Sequence, residues 1–248
     1  MNTEIILRCK NMEISAEKVA RMVDISAVRT DSSLEEIARV VEAAKHFRFC
    51  CAFAMPCFTK HLVDLLAGEP DIMVGGVVGF PSGADTTAMK VFNAKEMMAA
   101  GVNELDMVIN VGALKSGRYD AVYNDIRAVV EAADGMPVKS ILEIGCLTED
   151  EIRRAASIAV RAGVTYVKTG TGWCTKPTTV ETIRLIKSEI GDSARIKAAG
   201  GVRDLDTLTA MFDAGATRFG IGVNSALAIM KEAYARSGRP WVFEESSH

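Results

Sequence analysis

Short β-branched or apolar runs alternate with amphipathic stretches along nearly the whole chain. The runs predict strands at Val23–Ser26, Phe49–Ala54, Ile72–Val78, Glu104–Ile109, Val138–Ile144, Tyr166–Thr169, Arg195–Ala199 and Arg218–Ile221. Helical periodicity fills the intervals, as in Leu34, Ile37, Val40, Val41 and Ala44, or Ile152, Ala155, Ile158 and Ala159. Capping-box spacing signs helix starts at Ser32 with Glu35, Thr148 with Glu151 and Thr178 with Glu181. Gly68, Gly101, Gly163 and Gly215 stand where left-handed caps should end helices. Three junctions nearly repeat: Ala100-Gly101-Val102, Ala162-Gly163-Val164 and Ala214-Gly215-Ala216. One βα unit is therefore used repeatedly.

Eight strands alternating with helices leave a closed (β/α)8 barrel or an open doubly wound sheet. The open sheet should carry Gly-x-Gly-x-x-Gly after its first strand, and Ala27-Val28-Arg29-Thr30 has none. The expected fold is the α/β (β/α)8 barrel, whose usual length the 248 residues match. No Gly/Ser/Pro-rich linker interrupts the series, so a single domain over residues 1–248 is expected. Leu7–Arg21 would be an extra segment, helical over Ser15–Arg21, ahead of the first strand.

Composition excludes several classes. Apolar residues at 49% and charged ones at 25% describe an ordinary globular chain. A net charge of −3 leaves no electrostatic footprint for nucleic acid or an anionic membrane. No apolar run reaches the length of a membrane span, and no secretion signal is visible. Six cysteines, at 9, 50, 51, 57, 146 and 174, contain no Cys-x-x-Cys and read as reduced thiols of a cytoplasmic protein. Histidines at 46, 61 and 248 are too scattered for a His-ligated zinc, so no metal is expected.

The informative residues are charges inside strands that should be nearly all apolar. In the fourth strand Asp106 lies opposite the outward pair Leu105 and Met107. Lys139 and Glu143 share a face of the fifth, Tyr166 and Lys168 of the sixth, Arg195 and Lys197 of the seventh. The apolar alternates must meet the helices, so the charges point into the barrel. Asp106, Glu143, Lys168 and Lys197 fall near the carboxyl ends of their strands, where barrel enzymes carry their chemistry.

Two lysines and a carboxylate narrow that chemistry. A lysine attacks carbonyls only as the neutral amine, and lowering its pKa from ~10.4 to ~7 requires about 4.6 kcal/mol. A second ammonium at about 4 Å contributes roughly 4 kcal/mol at an effective dielectric near 20. The partner lysine is thus expected to supply most of the shift and desolvation the remainder. Asp106 would handle protons during carbinolamine dehydration and enamine formation. This is the apparatus of a Schiff-base aldolase. Gly200-Gly201 after the seventh strand and Gly220-Ile221-Gly222 after the eighth stand where barrels bind phosphate.

At these residues the chain resembles the deoxyribose-phosphate aldolase family. The resemblance rests on Val77-Val78-Gly79-Phe80-Pro81-Ser82-Gly83, Asn103-Glu104-Leu105-Asp106-Met107-Val108-Ile109-Asn110, Val167-Lys168-Thr169-Gly170-Thr171-Gly172 and Lys197-Ala198-Ala199-Gly200-Gly201-Val202-Arg203. It implies a Schiff base on Lys168, Lys197 as the second lysine and Asp106 as the proton-transfer group. It also implies Asp24 and Lys139 as supporting polar residues. With Glu143, Thr169, Gly172, Gly200, Gly201, Arg203, Gly220 and Gly222 they form the expected substrate-binding set. The implied reaction is reversible aldol cleavage of 2-deoxyribose 5-phosphate to acetaldehyde and glyceraldehyde 3-phosphate, without metal or organic cofactor. The implied partners are small-molecule substrates, with a homodimer or other homo-oligomer as the assembly.

The chain departs from the family at Gly170, where Ser is usual, and at Trp173, where a small or basic residue is. Gly222 and Val223 replace serine hydroxyls, with Asn224 or Ser225 as substitutes, and Phe53 stands where Cys is common. These departures leave open an acceptor that differs or lacks phosphate. A sugar-phosphate isomerase or epimerase using Asp106 or Glu143 as base, and a phosphate-ligand sensor, are the remaining alternatives.

Overall fold

The structure, a computed structural model, describes residues 14–244. Hydrophobic alternation resolves into α1 (Ala16–Ala20), β1 (Val23–Ala27), α2 (Leu34–Phe47), β2 (Cys51–Ala54), α3 (Pro56–Leu66), β3 (Met73–Val78), α4 (Thr87–Ala100) and β4 (Glu104–Val108). The chain continues through α5 (Val111–Lys115), α6 (Tyr119–Ala132), β5 (Val138–Ile141), α7 (Glu149–Ala162), β6 (Tyr166–Lys168), α8 (Val180–Ile190), β7 (Arg195–Ala199), α9 (Leu205–Asp213), β8 (Ala216–Gly222) and α10 (Val223–Arg236). The eight strands pair in parallel and in chain order, and β1 pairs with β8 to close the barrel. This is the expected fold.

The outward alternates Ile25, Leu105, Met107, Val167 and Ile196 are buried in the main core, which lies between sheet and helices. The amphipathic helices complete that layer. Helix α7 buries Ile152, Ala155, Ile158 and Ala159 and opens on a capping box at Thr148 and Glu151. The helix expected over Ser15–Arg21 is α1, Ala16–Ala20, with Ser15 as its N-cap and Arg21 as its C-cap, while Leu7 to Glu13 of the extra segment lie outside the described residues. At the other end Trp241 and Phe243 pack on Phe47, with ring centroids 5.4 and 5.1 Å apart.

Several boundaries differ from the sequence reading. Ser33, not Ser32, caps α2, because Ser32 is spent on the backbone N–H of Arg29 at 3.0 Å. Thr179, not Thr178, caps α8, because the Thr178 hydroxyl donates to the carbonyl of Ala199. Gly101, Gly163 and Gly215 are left-handed, but α3 ends at Ala67 in a right-handed conformation and Gly68 is not a left-handed cap. Strand β5 stops at Ile141, since Glu143 takes a left-handed backbone (φ 57°) and a 3-10 turn follows at Ile144–Cys146. Strand β2 begins at Cys51 rather than Phe49, and β8 runs from Ala216 to Gly222 rather than from Arg218 to Ile221.

Register decides what meets in the lumen. Asp106 lies level with Lys139, and Lys168 level with Lys197. The charges of β4 to β7 thus converge within one or two layers of the barrel interior.

Candidate active site

The lumen holds a continuous buried ion network. At its base Arg218 on β8 donates through Nε to Asp24 Oδ1 on β1 at 2.7 Å, and through Nη2 to Glu104 Oε1 on β4 at 2.9 Å. Lys139 on β5 pairs with Glu104 and lies 3.0 Å from Asp106 Oδ1. Above it Lys168 and Lys197 each place Nζ 2.7 Å from Asp106 Oδ2. Lys197 also lies 2.6 Å from Asp24 Oδ2, off the line of a hydrogen bond. Gly220 makes room for the Lys197 chain, since a Cβ there would meet its Cε at 3.3 Å. The Phe53 ring, with its centroid 4.1 Å from Lys197 Nζ, closes one flank.

The network's charges do not balance. It contains four basic side chains (Lys139, Lys168, Lys197 and Arg218) and three carboxylates (Asp24, Glu104 and Asp106). Burying a net ammonium is costly, and the imbalance falls on Lys168. Burial drives its pKa down, the Lys197 and Lys139 ammonium groups add to the effect, and Asp106 only partly opposes them, giving about 8. Desolvation, not the second lysine, is the largest cause, which corrects the division expected from the sequence. Burial pushes Asp106 up, but three ammonium groups outweigh it and hold the carboxyl well below its usual range. Burial likewise raises Asp24, and Lys197 and Arg218 reverse that shift. Lys139 moves the other way: burial lowers it, but the carboxylates Asp106 and Glu104 raise it above its ordinary value.

Over this network opens a cavity of about 200 Å³ at the carboxyl ends of the strands. Its base exposes Lys168, Lys197, Asp24 and Phe53. Its upper wall comprises Gly172, Trp173, Gly200, Gly201, Arg203, Gly220, Gly222 and Ser225, with Arg29, Glu36 and Phe80 at the rim. Asp106 is fully buried directly beneath the two lysines.

Three residues expected to bind substrate do not line the cavity. Lys139 is fully buried between Asp106 and Glu104. Thr169 donates to the Ala199 carbonyl and accepts from the Ala199 amide, both at 2.9 Å, so its hydroxyl pins β6 to β7. The Glu143 carboxylate accepts from the Thr171 hydroxyl and anchors the loop after β6. It packs closely on Gly170, where a Cβ would come 3.0 Å from Glu143 Oε1.

The two loops flanking the cavity treat their helices differently. The start of helix α9 is already occupied by side chains: Thr207 N–H donates to Asp204 Oδ1 at 2.7 Å and Leu205 N–H to Oε2 of Glu232 on α10 at 3.0 Å. Helix α10 begins at Gly222 with no side-chain cap, and Gly222 and Ser225 face the cavity. Open N–H groups at a helix start attract anions.

Sequence reasoning missed Arg218 and Glu104. Both carried a signal: Glu104 is two residues before Asp106 on one face, and Arg218 alternates with Gly220 and Gly222. Asp24, Glu104 and the Cys51 thiol bring ligand-type atoms within 4.8 Å of one another. A cation there would have to displace Arg218 and Lys139, which already neutralise the two carboxylates.

A closed parallel barrel with a charged cluster under a cavity at its carboxyl end is the architecture of barrel enzymes. The family model for DeoC/LacD family aldolases matches residues 11–232, and the chain belongs to that family of carbon–carbon lyases. It is 40% identical over 225 residues to a deoxyribose-phosphate aldolase of Klebsiella pneumoniae, covering 90% of each chain. It is 44% identical over 222 residues to one of Lysinibacillus sphaericus, covering 89% of this chain and 98% of the relative. Among solved structures, the aldolase QR15 superposes with a TM-score of 0.83 at 33% identity, covering 88% of this chain and 97% of QR15. The tetrameric deoxyribose phosphate aldolase of Aeropyrum pernix gives 0.82 at 27% identity, covering 96% and 99%.

Proposed function

We propose that this aldolase reversibly cleaves 2-deoxyribose 5-phosphate to acetaldehyde and glyceraldehyde 3-phosphate through an imine on Lys168. The observation that carries the reading is a buried amine with a pKa near 8 that opens on the cavity and sits 2.7 Å from the Asp106 carboxyl group. At neutral pH an appreciable fraction of such an amine is free base and nucleophilic.

In the cleavage direction neutral Lys168 Nζ attacks C1 of the open-chain sugar, giving a carbinolamine that loses water to form the iminium. Loss of the C3 hydroxyl proton breaks the C2–C3 bond, releases glyceraldehyde 3-phosphate and leaves the electron pair as an enamine. Protonation at C2 and addition of water release acetaldehyde and restore Lys168. Asp106 serves these steps by accepting hydrogen bonds from Lys168 and relaying protons through water. Lys197, shared between Asp106 and Asp24, holds the carboxylate in place. The iminium is the electron sink, so the scheme uses no metal or organic cofactor.

The phosphate is best accommodated at the upper wall, by Gly172, Gly200, Gly201, Arg203 and the open start of α10. The isomerase alternative fits less well, because neither Asp106 nor Glu143 lines the cavity where a base would have to meet substrate, whereas the Lys168 amine does. We further propose one domain over residues 1–248, a homo-oligomeric assembly like that named for the Aeropyrum relative, and a cytoplasmic location. Among the described residues no helix is long and apolar enough to cross a membrane.

Borohydride reduction in the presence of acetaldehyde tests the proposal. It should add an ethyl group to the tryptic peptide carrying Lys168 and abolish turnover. An unmodified peptide in an active enzyme would exclude the imine.

A further inference from the structure

The rim of the cavity carries two guanidinium groups that the chemistry on Lys168 does not use. Arg29 follows β1 and Arg203 follows β7; both line the cavity and both are exposed. Among the described residues neither guanidinium makes a hydrogen bond or ion pair, in contrast to Arg48, Arg127 and Arg239, which hold carboxylates. Glu36 is the carboxylate at the same rim and pairs with neither.

Arg29 is nevertheless held in place. Its backbone N–H donates to Ser32 Oγ at 3.0 Å and its carbonyl accepts from the Ser32 amide at 3.2 Å, fixing the turn. Its guanidinium lies over the Trp173 ring, 5.2 Å from the centroid. Trp173 is itself anchored across the mouth: Nε1 donates to the Val28 carbonyl at 2.9 Å, and its backbone N–H to Thr171 Oγ1 at 3.0 Å. The Phe80 ring supports it edge-on at 6.2 Å. A guanidinium stacked on an indole loses a face but keeps its N–H donors around the edge, in the fork that matches phosphate oxygens. Fixing its plane in advance also lowers the ordering cost of binding.

We infer that Arg29, backed by Trp173, is a specificity-determining residue that binds the phosphate monoester at the far end of the sugar, together with Arg203. The inference rests on the cavity being the aldol site. It assigns a role to Trp173, which could not itself pair with an anion as a basic residue would. It also selects a phosphorylated acceptor over a neutral one.

The test compares 2-deoxyribose 5-phosphate with unphosphorylated 2-deoxyribose in the full chain and in Arg29→Met, Arg29→Lys and Trp173→Leu. Arg29→Met should lower the ratio of kcat/KM for the phosphorylated over the free sugar by about ten- to a hundredfold, with the loss in KM rather than kcat. Arg29→Lys should recover part of it, and Trp173→Leu should fall between. Inorganic phosphate should compete with the phosphorylated sugar in the parent enzyme and much less in Arg29→Met. An unchanged ratio and unchanged phosphate inhibition in an active Arg29→Met enzyme would overturn the inference and leave the aldolase reading intact. If the parent turns over neither sugar, that reading fails on its own. The thermal shift with inorganic phosphate then decides: a shift lost in Arg29→Met supports the subsite, and equal shifts overturn it.

Discussion

Lys168 and Lys197 present their amines to the same oxygen of one carboxylate, Asp106 Oδ2, each at 2.7 Å. The two nitrogens can be no further apart than twice that distance. At roughly 5 Å and an effective dielectric near 20, two ammonium groups repel by about 3 kcal/mol. Replacing Lys197 with Met removes this repulsion and strengthens the pull of Asp106 on Lys168, and both effects raise the Lys168 pKa. The acid limb of kcat/KM, expected near pH 8 in the parent, should move up by about one to two pH units. Activity at pH 7 should fall at least tenfold. A limb that stays put would show that Lys197 does not set the protonation of Lys168.

Asp106→Asn acts with the opposite sign on the amine and separates two roles. Asp106 is the main influence opposing loss of the Lys168 proton, so its removal should lower that pKa and shift imine formation to lower pH. Proton relay is lost at the same time, so turnover should drop by about 10²–10⁴. Borohydride trapping with acetaldehyde measures the first effect and steady-state cleavage the second. Trapping and turnover that fall in parallel would argue against a separate proton-transfer role.

The barrel was legible because a short strand run followed by an amphipathic helical stretch recurs eight times, and the lysine–lysine–aspartate set because charges stood where strand faces should be apolar. Element ends were less legible. Ser32 and Ser33 both precede a glutamate by three residues, and only the turn at Arg29 decides which of them caps α2. The lower ion network was missed because it depends on closure. Arg218 meets Asp24 and Glu104 only once β8 pairs with β1, a relationship across 194 residues that local pattern does not carry. The leading cause of the Lys168 shift was misjudged for a similar reason: depth of burial is a property of the assembled lumen.

Phe53 and Gly75 form a packing pair that predicts a compensating double variant. A Cβ at Gly75 would lie 2.1 Å from two atoms of the Phe53 ring. Gly75→Ala alone should destabilise by about 1–3 kcal/mol through overpacking. Phe53→Cys alone should cost about 3 kcal/mol by emptying the space between β2 and β3. Combined, the substitutions should be less damaging than their sum by more than about 1 kcal/mol. Urea unfolding of the four proteins measures this coupling, and strict additivity would contradict the packing.

The same buried amine that serves catalysis should cost stability, and the cost has a pH signature. Folded Lys168 binds its proton only up to about pH 8, whereas the unfolded side chain holds it to about pH 10.4. Between those values the unfolded chain binds more protons, so this residue's contribution to stability rises with pH. The full rise is about 3 kcal/mol. Two thiols act in the reverse sense: burial raises Cys51, and partial burial together with the Cys146 contact pushes Cys174 up to about 12. Stability from those thiols is lost as pH climbs past about 8.5. The discriminating quantity is therefore the difference between the parent and Lys168→Met, in which the thiols cancel. Relative to the parent, Lys168→Met should be most stable at pH 7.5, and urea unfolding should show that advantage shrinking by roughly 2–3 kcal/mol by pH 10. A difference constant with pH would mean that the folded lysine titrates as it does in the unfolded chain, and the free base needed for imine formation would then be scarce at neutral pH.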